Sequence, residues 1–107
     1  MFLPTQVTLN GNVGQNPEKI ETQTGTPMVT FTVACSLGQD EAPLWMDVTC
    51  FGPTALGVLD EVTKGNGVIV TGRLQMDYWE KDGQKRSKIK CIADEVGVKC
   101  FGGLGGE

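Results

Sequence analysis

At 107 residues the chain has the length of one domain, enough for a modest core and too short for two. Nine Lys and Arg stand against thirteen Asp and Glu, a net charge of −4, which excludes a protein that grips polyanions by bulk charge. No apolar run approaches the ~20 residues that span a bilayer, and the opening MFLPTQ lacks the regions of a signal peptide, so a soluble, cytoplasmic protein is expected.

The first segment, TQVTLNGNV, alternates Val7, Leu9, Gly11 and Val13 against Thr8, Asn10 and Asn12, the period of a strand with one face to a core. Gly11 within that series marks a bend or a close backbone approach. GQNPE is turn chemistry, and a short extended piece follows around Ile20, closed by TGTP. MVTFTVACS is the second full strand, with Val29, Phe31, Val33 and Cys35 inward. After SLGQDEAP comes the third, LWMDVTCFG: Leu44, Met46, Val48 and Cys50 face the core, and Trp45, Asp47, Thr49 and Phe51 face away. Two large rings on the same side as a carboxylate and a hydroxyl point to solvent or a ligand rather than a dry interior.

A short helix is predicted next, with Pro53 in its first turn, Leu56, Leu59 and Val62 at helical spacing, and Gly65 or Gly67 stopping it after Lys64. VIVTGRLQMDYW is a fourth strand, with Val68, Val70, Gly72, Leu74, Met76 and Tyr78 inward and Ile69, Thr71, Arg73, Gln75, Asp77 and Trp79 outward. KDGQ signals a hairpin, and RSKIKCIA returns as the fifth strand, with Ile89, Cys91 and Ala93 inward against Lys88, Lys90 and Ile92. Five strands, the first three consecutive, with one short helix between the third and fourth and a final hairpin, predict an all-β Greek-key barrel of the oligonucleotide-binding (OB) type. Residues 1–100 form the domain and 101–107 a Gly-rich stub.

Four cysteines, Cys35, Cys50, Cys91 and Cys100, form no C-x-x-C pair and histidine is absent, so no zinc site and no other cofactor is expected. Cys35, Cys50 and Cys91 share parity with core residues and read as reduced, buried thiols. The acids are scattered and no phosphate loop appears, since GNG and GGLGG lack the lysine and the strand-to-helix setting; an enzyme is not expected. The cations are clustered: six lie from Lys81 to Lys99 against Asp82, Asp94 and Glu95. Trp45, Phe51 and Trp79 fall on outward positions of the same strands as Arg73, Lys81, Arg86, Lys88 and Lys90. Rings interleaved with cations describe a platform for unpaired bases and their phosphates; a subunit interface, or a barrel built to bind another protein, would use the same rings.

These residues carry a resemblance. In LNGNVGQNPE (9–18), FTVA (31–34), Trp45 with Phe51–Gly52, TKGNGVIVTGRL (63–74), YWEKDGQKR (78–86) and ADEV (93–96), the chain resembles bacterial-type single-stranded DNA-binding proteins, in order and over nearly its whole length. The resemblance implies an OB fold, usually a homotetramer of protomers paired through the first strand, with single-stranded DNA wrapped over aromatics and a role in replication, recombination and repair. Trp45, Phe51 and Trp79 match the family's stacking positions. Two departures stand out. The loop SLGQDEAP is short and bears Asp40 and Glu41 where family members carry a longer, basic, aromatic hairpin, so one stacking contact is expected to be missing. The chain also stops at CFGGLGGE, without the acidic, hydrophobic tip that recruits partner proteins. A truncated chain, a tail-less viral or plasmid version, and a dimeric paralogue resembling primosomal replication protein B all fit that ending.

Overall fold

The computed structural model describes residues 6–99. Seven elements follow in order: β1 (Gln6–Val13), β2 (Glu18–Ile20), β3 (Met28–Cys35), β4 (Leu44–Phe51), α1 (Gly52–Glu61), β5 (Gly67–Lys81) and β6 (Gln84–Val98). β1 pairs with β5, β5 with β6, β6 with β4, β4 with β3, and β3 again with β1, so five strands close into a ring. All of these pairings are antiparallel except β4–β6, where Asp47, Val48 and Thr49 lie parallel to Lys90, Cys91 and Ile92. The short β2 adds a sixth strand on Met28–Thr30 of β3. This is the expected strand order, with the helix where it was predicted and the extended piece around Ile20 formed as a strand.

Two glycines make the closure possible. β1 serves two neighbours at once near Gly11, and a Cβ there would lie 2.2 Å from the Ala34 carbonyl oxygen. At Thr71/Gly72 the β5–β6 register shifts by a bulge, and a Cβ on Gly72 would lie 2.1 Å from the Ile92 carbonyl oxygen. Both positions need a residue without a side chain for the backbones to approach.

The core gathers Val13, Val29, Phe31, Val33, Met46, Val48, Val68 and Val70 with Cys35, Cys50 and Cys91. The cysteines are free thiols, and burial pushes each of them up, Cys50 to about 12 with the neighbouring Cys91 adding to the shift. Cys100 and the Gly-rich stub at 101–107 lie outside the described residues.

Several expectations fail locally. The helix ends at Glu61 rather than Lys64. Val62 is already extended, and Asn66 turns the chain by accepting the Thr63 N–H on its side chain at 2.8 Å. Its buried face is Ala55 and Val58, continued by Val62, while Leu56 and Leu59 are exposed; the smaller side chains let the helix sit close against β3, β4 and β6. On β4, Leu44 is exposed and Thr49 buried. Thr49 pairs with Ile92, which is also buried despite its outward parity, and both lie in the middle of the sheet, flanked by Thr30 on β3 and Arg73 on β5. β6 runs to Val98 rather than stopping at Ala93. Beyond Leu74, β5 leaves the barrel as a two-stranded ribbon with β6. Met76 and Tyr78, expected inside, are therefore exposed, Tyr78 at 77%, since no second layer lies over them.

Candidate nucleic-acid interface

The outward face of β3, β4, β6 and β5 is one continuous sheet surface. Across it, Thr32 lies beside Asp47, Asp47 beside Lys90, and Lys90 beside Gln75. One step towards the hairpin are Trp45 on β4, Lys88 on β6 and, paired with Lys88, Asp77 on β5; a further step on, Trp79 lies beside Arg86. Phe51 closes the opposite end of β4. Period-two alternation along β4 and β5 therefore places Trp45, Phe51 and Trp79 on one face, exposed at 59%, 43% and 45%. A cleft of about 330 Å³ opens between β3 and β5, lined in part by Thr30, Thr32, Asp47, Thr49, Asp77 and Lys90.

Trp45 has a fixed seat. Its ring lies over Gly14, where a Cβ would come within 2.4 Å of Cζ3 and 3.0 Å of Thr32 Oγ1. The Gly14 N–H is held by the Thr32 carbonyl at 2.9 Å, so the backbone under the ring is anchored to β3. Gly14 belongs to the turn after β1, and turn chemistry masked its second role as the floor beneath a ring.

The cations divide into two groups. Lys81, Lys85 and Arg86 occupy the ribbon near its tip, where Asp82 and Gly83 take the positive φ values of a two-residue hairpin turn; among the described residues none of the three has a carboxylate partner. Arg86 Nη2 donates to Gln84 Oε1 at 3.3 Å. Nearer the centre, Lys88 Nζ meets Asp47 Oδ2 at 2.5 Å and Lys90 Nζ meets Asp77 Oδ2 at 3.0 Å. Arg73 stands apart, six positions along β5 from Trp79 and thus roughly 20 Å away, with its Nε 3.9 Å from Asp94 Oδ1. The sheet thus brings Trp45, Trp79, Arg86, Lys88 and Lys90 together, sets Lys81 at the ribbon tip, and leaves Arg73 near the Phe51 end. Among the described residues no three Cys, Asp or Glu side chains converge as metal ligands.

The single-strand binding protein family matches residues 4–99, nearly the whole chain. The chain belongs to that family. Curated relatives named single-stranded DNA-binding protein include one from Corynebacterium glutamicum, 34% identical over 103 residues and 87% of this chain. Another, from Aquifex aeolicus, is 34% identical over 98 residues and 85% of this chain, and one from Mycobacterium leprae is 32% identical over 103 residues and 87% of this chain. The match covers 46%, 67% and 61% of those three proteins, so the chain spans about half to two thirds of the length of such relatives.

Proposed function

We propose that this chain binds single-stranded DNA without sequence preference, stacking unpaired bases on Trp45, Phe51 and Trp79 while Lys81, Arg86, Lys88, Lys90 and, at the far end, Arg73 meet phosphates. The observation that supports this best is the placement of three exposed rings and a cation cluster on one sheet face of a chain in the single-strand binding family. Every base offers a π face to a ring, so the binding is sequence-tolerant, and a duplex hides those faces. Such a protein would protect exposed single strands in the cytoplasm during replication, recombination and repair.

Assembly belongs to the same reading. β1 pairs with β5 from Gln6 to Asn12 but with β3 only from Gly11 to Val13, which among the described residues leaves one edge of Gln6–Asn10 without a strand. A second protomer pairing there covers that edge, and a homotetramer built from two such dimers is the expected species, ahead of a dimer. Light scattering at micromolar concentration tests this, and a strict monomer contradicts it. For binding, oligo-dT titrated into the protein should quench Trp45 and Trp79, whereas its duplex at equal salt should bind weakly; equal affinity for both refutes the proposal.

A further inference from the structure

The centre of the face carries four charges in an alternating arrangement. Asp47 lies beside Lys90 and Asp77 beside Lys88 in register, yet the ion pairs run diagonally, Lys88 to Asp47 and Lys90 to Asp77. Each lysine thus stands next to both carboxylates, and the quartet has no net charge. It is not peripheral: Trp45 lies two residues before Asp47 on β4 and Trp79 two residues after Asp77 on β5, all with outward parity. A strand running from Trp79 to Phe51 passes over it, and one running between Trp45 and Trp79 follows its Lys88–Asp77 side. The ribbon cations Lys81, Lys85 and Arg86 have no such partners among the described residues.

We propose that Asp47 and Asp77 are specificity-determining residues. By holding Lys88 and Lys90 in ion pairs they deny the middle of the face a free cluster of cations. A ligand that offers phosphates alone must displace a carboxylate to reach either lysine, and it leaves that carboxylate unpaired beside a second anion. A ligand that also offers unpaired bases gains the stacking on Trp45 and Trp79, which offsets the cost of drawing Lys88 or Lys90 away from its carboxylate. The quartet therefore makes tight binding conditional on stacking, which discriminates against duplex DNA and other polyanions. This inference rests on the outward face being the nucleic-acid face.

The test compares the full chain with Asp47→Asn, Asp77→Asn and the double variant, each near-isosteric and on the surface, after circular dichroism has checked the fold. Asp60→Asn, on the exposed side of α1, makes the same change in net charge as either single variant, away from the face. Oligo-dT, oligo-dC and a blunt duplex are titrated between 50 and ~200 mM salt. The double variant should bind duplex about tenfold or more tightly at the low-salt end, with a salt slope steeper by up to about 0.9 per freed lysine. Oligo-dT should gain less in the double variant, about 1.5- to 5-fold in all, the range of one surface ion pair, so the preference for single strands falls. Unchanged duplex binding overturns the proposal, as does an equal gain on both ligands or the same gain from Asp60→Asn. Selective loss of oligo-dC binding also overturns it, because the carboxylates would then be accepting from the cytosine amine. Wild-type protein that ignores oligo-dT removes the functional reading itself, whereas wild type that binds while the variants show no shift removes this inference alone.

Discussion

Replacing Gly14 by Ala puts a methyl group where the Trp45 ring now lies. The new Cβ would stand 2.4 Å from Cζ3 and 3.3 Å from Cε3, against the ~3.5–4.0 Å at which carbon atoms rest. The backbone cannot yield easily, since the Gly14 N–H is bonded to the Thr32 carbonyl and that strand is paired on both sides. The ring must therefore retreat by about 1 Å or swing to another rotamer, the latter at roughly 0.5–1.5 kcal/mol if it ends off a staggered well. Stability should change little, within about 1 kcal/mol, because Trp45 is more than half exposed and Ala also lowers the entropy of the unfolded chain. Affinity should change more. A displaced ring forfeits part of the ~1–3 kcal/mol that stacking one base supplies, so Gly14→Ala should fall between wild type and Trp45→Ala, about two- to tenfold weaker on oligo-dT if half is lost. Tryptophan quenching on titration with oligo-dT, beside a urea unfolding curve, measures both quantities. A Gly14→Ala protein with wild-type affinity and wild-type quenching would refute the claim that Trp45 binds bases from this seat.

Phe51→Ala and Trp79→Ala should each cost about 1–3 kcal/mol of oligo-dT binding, nearly independent of salt because a stacked ring releases no counterions; a strongly salt-dependent loss would contradict that. Tyr78→Ala, on the opposite face of the ribbon, should change affinity by less than about twofold in the same fluorescence titration, although Tyr78 is more exposed than any of the three. Gly72→Ala should destabilise the fold by about 1–3 kcal/mol in denaturant unfolding, since its Cβ meets the backbone of Ile92 and Ala93 rather than a movable side chain. The buried thiols have pKa values raised above their unfolded values, so the unfolded chain loses protons first as pH rises through about 9. Stability should be flat below that pH and fall above it, and alkylation of Cys35, Cys50 and Cys91 at pH 8, mapped by peptide mass, should require unfolding.

Alternation was enough to find the strands, the close approach at Gly11 and the three outward rings, because residues on a pleated strand can only face one of two ways. It failed where a face has no second layer or an extra residue intervenes. Met76 and Tyr78 keep the parity of Val70 and Leu74, but periodicity carries no information about where the barrel ends and the free ribbon begins. On α1, Leu56 and Leu59 outweigh Ala55 and Val58 in hydrophobicity, yet the fit of small side chains against the barrel decides which face is buried. The Asp47–Lys88 pair was beyond reach for another reason: it joins residues forty-one positions apart across the parallel β4–β6 pairing, which no local pattern announces, whereas Asp77–Lys90 is a diagonal across the antiparallel hairpin. Gly14 was visible only as a turn residue, because its tertiary neighbour sits two strands away.

The ring of strands also sets an order of events for a chain leaving the ribosome. β1 is made first, but its partner in β5 lies about sixty residues later, and the parallel partner that β4 needs to close the ring is in β6. At a synthesis rate of about 5–20 residues per second, β1 waits roughly 3–12 s for β5, its inward Val7 and Leu9 uncovered meanwhile. The β3–β4 and β5–β6 pairs are joined by short connections and can zip locally as each emerges. Closure cannot happen until Lys90–Ile92 is free of the exit tunnel, so the ring closes only after β6 has emerged, as the last of these pairings to form.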